Sequence, residues 1–542
     1  MCPDRVEGAT PASAASVDAA SARPSASATS TAARAGSPMR AATEAMSASP
    51  RTPPCYDNNA SGHAEGFRHQ TGDVTDGEHQ PGDPRSVADV GTGAGRSSLW
   101  PLVAICVGYF MVILDTMVVN VALPALSRSL HTTTTGLEWV VDAYSLVFAA
   151  LLLSAGALAD RRGTKTVFEA GLAVFAAASL GCGLAPSTGV LIATRAVQGL
   201  GAALAVPASL ALLQAAYPEV GARRRAFGIW GAVAGIAAGA GPVLGGALVS
   251  GLGWRSVFFL NVPIGTAGVA LAVKVLPSPA RRPHGTDPAG QTAGVLALAG
   301  LTFALIEAGT LGWGAPAVLG GFATFVAAGF TFVVVEQRGD VPMLPLGLFS
   351  SATFSAATAV GMLINLGFYG ELFVMSLYLQ ALRGLSPLAA GLVLLPEAAM
   401  AVVGSTASGR VMARVGPRPP MLVGLLVGAA GLAGLIAVGA HTGYPMLVVP
   451  LMAAGLGMSF TMPAATAAVM EAAPAERGGL ASGTLNAARQ VGGVIGVALL
   501  GSLITAPVTF VSGLRVGMAI AGAAFLAGAL LSAAGVERRQ RT

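Results

Sequence analysis

The chain has 542 residues, of which 54% are of hydrophobic type and only 11% are charged; its formal charge is +5 and its mean hydropathy +0.68. Soluble globular proteins carry roughly 25% charged residues, so the composition excludes an ordinary soluble protein and points to repeated membrane spans, each needing ~20 apolar residues to cross ~30 Å of hydrocarbon. Nucleic acid is not an expected partner, because no basic patch interleaves with aromatics and the arginines stand at the ends of apolar runs.

Residues 1–98 are rich in Ala, Ser, Thr, Pro and Gly, and hold no apolar run long enough for a signal peptide or anchor. They read as a disordered cytoplasmic tail, with an overextended start as the alternative. From Trp100 onward, apolar runs predict fourteen spans: 100–124, 138–159, 166–185, 188–214, 226–250, 256–276, 291–311, 315–335, 352–380, 387–408, 419–440, 445–468, 485–506 and 513–534. The expected organisation is an N-terminal six-helix bundle over 99–276, a linker with two inserted helices over 277–350, a C-terminal six-helix bundle over 351–535, and a basic cytoplasmic tail over 536–542.

Orientation follows from the loops. One side collects Arg161, Arg162, Lys165, Arg223, Arg224, Arg225, Arg281, Arg282, Arg338, Arg410, Arg414, Arg418, Arg477, Arg538, Arg539 and Arg541; the other has only Arg128, Arg255, Arg383 and Arg515. The positive-inside rule makes the first side cytoplasmic, with both termini, and an even number of spans is then required. Basic residues other than Lys165 and Lys274 are arginine, which with the Ala and Gly content suggests a GC-rich bacterial genome. The expected location is therefore a bacterial inner membrane.

A faint repeat runs through the chain. A constant offset of 253 positions pairs Gly156 with Gly409, Arg161 with Arg414, Gly163 with Gly416, Lys165 with Arg418, and Gly239 with Gly492. Two related bundles around a midplane site are the usual architecture of alternating-access transporters. ATP use is not expected, since there is no G-x-x-x-x-G-K-[ST] loop. Cys2, Cys55, Cys106 and Cys182 have no metal spacing, and His63, His69, His79, His131, His284 and His441 lie in the tail or loops. No metal or other cofactor is expected, and a membrane enzyme or a sensor is disfavoured.

Six motifs stand in register over about residues 100–535: Leu114-Asp115-Thr116 through Asn120 to Pro124; Trp139 through Asp142 to Tyr144; the Gly156–Lys165 turn; Arg195-Ala-Val-Gln198-Gly199; Gly235, Gly239, Gly241, Pro242, Gly245 and Gly246; and Trp254-Arg255 with Asn261-Val-Pro263. Together they resemble the fourteen-span drug:proton antiporters of the major facilitator superfamily. The resemblance implies an all-α integral membrane fold of two six-helix bundles plus two inserted helices, acting as a monomer. It implies proton-driven export of small lipophilic or cationic compounds. A dedicated exporter of one metabolite and a gradient-independent facilitator remain alternatives.

Asp115 lies mid-span, where a carboxylate is costly to keep charged, so a protonated resting form is expected. The alternative is a structural Asp bonded to Asn120 or to a neighbouring helix. Arg195 cannot lose its proton and needs a partner; Asp115 is the plausible one, and the resemblance implies proton transfer. Asp142 is a coupling candidate, or a helix-start residue near the outer face. The Asp160-Arg161-Arg162 turn, with Gly156, Gly163 and Lys165, is expected to gate, and so is the close, kinked contact of Gly235, Gly239, Gly241, Pro242 and Gly245. Asn120, Gln198, Glu371, Glu397 and Arg489 are candidates for the substrate cavity, where the two glutamates would favour cations; facing Arg489 is the blander reading. Glu307 reads as structural and Glu471 as a residue of the cytoplasmic rim.

Overall fold

The computed structural model describes residues 99–278, 287–339, 342–344, 346–474, 478–505 and 509–537. The expectations for the tail 1–98, for most of the basic tail, for Arg281, Arg282, His284 and Arg477, and for the side chain of Arg224 lie outside the described residues.

Among the described residues, fourteen long helices follow one another: α1 Trp100–Leu130, α2 Thr134–Arg162, α3 Thr164–Leu184, α4 Thr188–Ala216, α5 Val220–Leu252, α6 Arg255–Val275, α7 Pro288–Leu311, α8 Pro316–Arg338, α9 Ala352–Leu377, α10 Pro387–Val415, α11 Arg418–Ile436, α12 Tyr444–Ala472, α13 Gly478–Ser502 and α14 Phe510–Gly535. All but α13 are long and apolar enough to cross a membrane on length and composition alone. The exception carries Asn486, Arg489 and Gln490 near its centre, and it is enclosed by α9, α2 and α7 rather than left to lipid. Side chains set several ends: Thr133, Ser187, Ser351 and Ser386 each cap the helix that follows them. α6 is broken at Leu260, into Arg255–Phe259 and Asn261–Val275.

The repeat is present in three dimensions. Contacts of α1 with α5 and α6, α2 with α4, and α3 with α4 and α6 recur as α9 with α13 and α14, α10 with α12, and α11 with α12 and α14. Backbone geometry repeats too. Gly163 and Gly416, 253 positions apart, end α2 and α10 at φ 104° and 80°, and His131 and Gly384 share the same relation at 50° and 66°. A side chain is strained at such angles, which explains why glycine holds three of the four positions.

The halves meet along two reciprocal seams, α5 against α10 and α2 against α13. The first is a wedge. Gly391 lies on the Pro242 carbonyl, and a Cβ built at Gly246 would sit 2.6 Å from the Pro387 oxygen. Toward the end bearing the arginine-rich turns the gap widens: the nearest atom to such a Cβ is 3.7 Å away at Gly239, 4.0 Å at Gly235, and beyond 4 Å at Gly231. Near the closed end, Ser376 donates to the Asn120 carbonyl and Gln380 Nε2 to the Val121 carbonyl at 2.9 Å, joining α9 to α1.

The inserted pair α7–α8 stands at the second seam. Trp139 Nε1 donates to Glu307 at 3.1 Å and Gln291 Nε2 to the Ala150 carbonyl at 2.7 Å, fixing α7 to α2. On its other flank, Gly309 of α7 packs on Ser502 of α13.

This wedge predicts unequal tolerance along α5. Gly246→Val forces α5 from α10 and costs about 1–3 kcal/mol, the usual penalty of overpacking, read as a lowered unfolding temperature in detergent. Gly231→Ala meets no neighbour and leaves that temperature unchanged; equal effects would refute the wedge.

Candidate functional site

Five helices bring their polar side chains to one buried point. Asp115 comes from the middle of α1, whose flanking residues Leu114, Met117 and Val118 are buried and apolar. Arg195 and Gln198 lie three residues apart on α4 and so share a face. Gly199 lets α4 lie close to α2, because a Cβ there would overlap the Tyr144 carbonyl. That approach brings Arg195 Nε within 3.0 Å of the Val140 carbonyl. Ser179 arrives from α3, and Asn261 from the break in α6.

Their geometry is closed. Arg195 Nη1 donates to Asp115 Oδ2 at 2.6 Å and to Gln198 Oε1 at 2.6 Å. Asp115 Oδ1 accepts from Gln198 Nε2 at 2.9 Å and from Asn261 Nδ2 at 2.7 Å. Gln198 Nε2 also donates to Ser179 Oγ at 2.8 Å. The guanidinium stacks on the Tyr144 ring, 4.3 Å from its centroid. Asp115 and Arg195 are 0% and 1% exposed. Arg195 is the partner that the sequence led us to expect for Asp115, and its guanidinium offsets part of the cost of burying the carboxyl group. Asn120 takes no part, since its Nδ2 donates to the Thr116 carbonyl at 2.8 Å.

A cavity opens beside this cluster between the halves. Thr116, the residue after Asp115, lines it, with Tyr109 from α1, Ser145 and Phe148 from α2, Tyr369 from α9, and Asn486, Arg489 and Gln490 from α13. Of the five residues expected there, only Arg489 lines it. Gln198 is taken up by the Asp115 cluster, and Asn120 is buried on the closed side. Glu371 and Glu397 are buried on α9 and α10 and face each other within hydrogen-bonding reach, with no other donor reaching either carboxyl among the described residues. They do not face Arg489.

Asp142 is fully buried, and no donor reaches it among the described residues. Glu138 lies one turn earlier on the same face, equally buried and without a donor, with Gly501 of α13 against it. It was missed because span two was expected to begin there, whereas α2 starts at Thr134. The Gly156–Lys165 turn stands apart from the cavity. Asp160, Arg161 and Arg162 end α2, Gly163 makes the turn, and Lys165 Nζ donates to the Val273 carbonyl at 2.9 Å. On α5, Gly241 packs on Met117 and Gly245 on Val118, so these glycines contact α1, while Pro242 meets α10.

Removing one partner of a buried pair leaves an uncompensated charge, at about 3–5 kcal/mol. Arg195→Met is expected to lower stability in detergent by that amount, and adding Asp115→Asn is expected to restore most of it. Equal losses in the single and double variants would show that the pair is not coupled.

Relatives fit this architecture. The Major Facilitator Superfamily profile matches residues 105–497 and 360–541. A methylenomycin A resistance protein of Streptomyces coelicolor is 38% identical over 440 residues, covering 81% of this chain and 93% of its own length. The tetracenomycin C resistance and export protein of Streptomyces glaucescens is 38% identical over 79% of this chain and 80% of its own. Multidrug resistance protein Stp of Mycobacterium tuberculosis is 39% identical over 76% of each. Among solved structures, a peptide transporter POT in complex with sulfate superposes with a TM-score of 0.61 at 17% identity, over 80% of this chain and 94% of that one. A bacterial homologue of the lysosomal transporter Spinster, in an inward-facing and unoccupied conformation, gives 0.56 at 16% identity over 81% and 97%. With this fold, its internal repeat and these matches, the chain belongs to the Major Facilitator Superfamily.

Proposed function

We propose that this protein is a secondary antiporter that exports lipophilic, drug-like molecules across a bacterial inner membrane in exchange for protons. The observation that carries the reading is the buried Asp115–Arg195 pair, one residue from a cavity open between two related halves. Resistance and export relatives support the direction and the cargo class.

Arg195 is the charge that competes with a proton for Asp115. It keeps its own proton at any working pH, so the pair has two alternatives: an ionised Asp115 held by Arg195, or a neutral Asp115 released from it. A proton arriving at Asp115 therefore loosens the contacts that tie α1 to α4, and through Asn261 to α6. Loss of that proton restores them. Coupling follows if the two charge states favour different arrangements of the halves.

The arginine-rich ends are cytoplasmic in this reading, by the positive-inside rule. The α5–α10 wedge is then closed outside and open inside, so the described conformation faces the cytoplasm. The Gly241–Gly246 contact seals the outer side, and the Gly156–Lys165 turn changes partners as the halves rock. Asp142 and Glu138 are further proton-carrying candidates. One chain forms the whole cavity, so a monomer suffices.

In inside-out vesicles energised by respiration, wild-type protein is expected to release protons when active compounds from a panel of lipophilic cations, neutral antibiotics and lipophilic acids are added, as a pH dye reports. Asp115→Asn should abolish the response while inserting normally. If neither protein responds, yet labelled compound crosses without a gradient, the chain is a facilitator and the antiport reading fails.

A further inference from the structure

Two arginines lie inside the helical core, and they differ in one respect. Arg195 is satisfied by Asp115, Gln198, the Val140 carbonyl and the Tyr144 face. Arg489, on α13, has no carboxylate partner among the described residues. Its Nη1 donates to Asn486 Oδ1 at 3.2 Å, and its buried Nε has no partner. The stem is held: a Cβ at Gly361 of α9 would lie 3.3 Å from Arg489 Cγ, so the absence of that Cβ gives the stem its groove. The head faces the cavity with the rings of Tyr109 and Tyr369 beside it.

Among the described residues, the cavity wall carries no acid. Asp115 is neutralised by its own arginine, and Glu371 and Glu397 sit elsewhere in the C-terminal half. A guanidinium has five N–H donors in a planar fork that matches a carboxylate, and leaving the buried Arg489 Nε without a partner is costly. The site is thus incomplete with respect to one negative charge. Around the cation the wall is mixed, with Ile113, Phe148 and Leu152 supplying apolar surface and Asn486, Gln490 and Ser145 polar surface.

We propose that Arg489 is a cargo-recognition residue and that the cavity selects lipophilic molecules bearing a single acidic group, a carboxylate or an acidic enol or phenol of equal charge. This rests on the export reading for its biological sense, but it is a statement about binding. The acid lies against the α13 guanidinium while the hydrophobic body lies against Tyr109, Tyr369 and Phe148. Cargo anion and Asp115 then occupy different arginines, one in each half, so loading the cavity does not displace Arg195 from its partner.

Trp230 of α5 stacks on Tyr109, with ring centroids 3.8 Å apart and planes 9° from parallel, which gives the cavity an intrinsic fluorescent reporter. The test is binding of pyrenebutyrate, of its uncharged methyl ester and of tetraphenylphosphonium to purified protein in nanodiscs, read by quenching of tryptophan emission. A Trp230→Phe variant identifies the signal from this site. The expected result is that wild type binds the acid about tenfold or more tighter than the ester, and the cation weakest. Arg489→Gln should remove the acid preference while changing ester affinity less than about twofold, and Arg489→Lys should recover part of it. The proposal is overturned if acid and ester bind wild type equally, if the cation binds best, if neither pyrene probe binds, or if Arg489→Gln weakens both probes alike. No gradient is present, so failure here leaves proton exchange with other compounds intact, and failure of the vesicle assay leaves this selectivity standing.

Discussion

Placing Asp115 and Arg195 side by side in the centre of the N-terminal half removes two full charges from water. Their attraction offsets that cost only because the geometry is complete. The carboxylate accepts from Arg195, Gln198 and Asn261, and the guanidinium is further held by the Val140 carbonyl and the Tyr144 ring. Those partners come from α1, α2, α4 and α6, with Ser179 of α3 holding Gln198. One ion pair therefore cross-links five of the six helices of its half. The close approach of α4 to α2 at Gly199 and the break in α6 at Leu260 both serve this point. A change in the charge of Asp115 is felt by the whole half at once.

The repeat supplies the complement. The C-terminal half copies the helix contacts and the turn geometry at Gly416 and Gly384 but not the ion pair. It contributes Arg489 to the cavity and a buried pair of glutamates of its own. The halves are thus alike in mechanics and unlike in chemistry. The proposed rocking at the α5–α10 and α2–α13 seams rests on the likeness, and the proposed division of labour between proton and cargo rests on the difference. The glycines of α5 keep backbones close at one end of the seam while the other end stands apart.

Much of this was legible in the sequence, for physical reasons. A hydrocarbon core imposes run lengths, so the number of helices could be counted. Only α13 falls short of a clear apolar span, since Asn486, Arg489 and Gln490 interrupt it. Asp115 and Arg195 stood out because charges within a span need partners. What escaped depends on tertiary structure. Asn261 joins the site only because α6 breaks beside it, and Ser179 is an unremarkable residue in its own helix. Glu138 looked like a helix start until Thr133 capped α2 a turn earlier. Glu371 and Glu397 were expected in the cavity because depth in a helix can be read from sequence, whereas the direction of a side chain cannot. Instead they face each other within the C-terminal half.

The central claim is that Asp115 alternates between an ionised form held by Arg195 and a neutral form released from it. Infrared difference spectroscopy of the reconstituted protein tests this directly, recording the carboxyl stretch as pH is lowered with and without an exported compound. The account predicts a protonated-carboxyl band that grows on acidification, is absent in Asp115→Asn, and appears at higher pH in Arg195→Gln. A band unchanged in Asp115→Asn, or a carboxylate that stays ionised throughout the pH range in which transport runs, would contradict it.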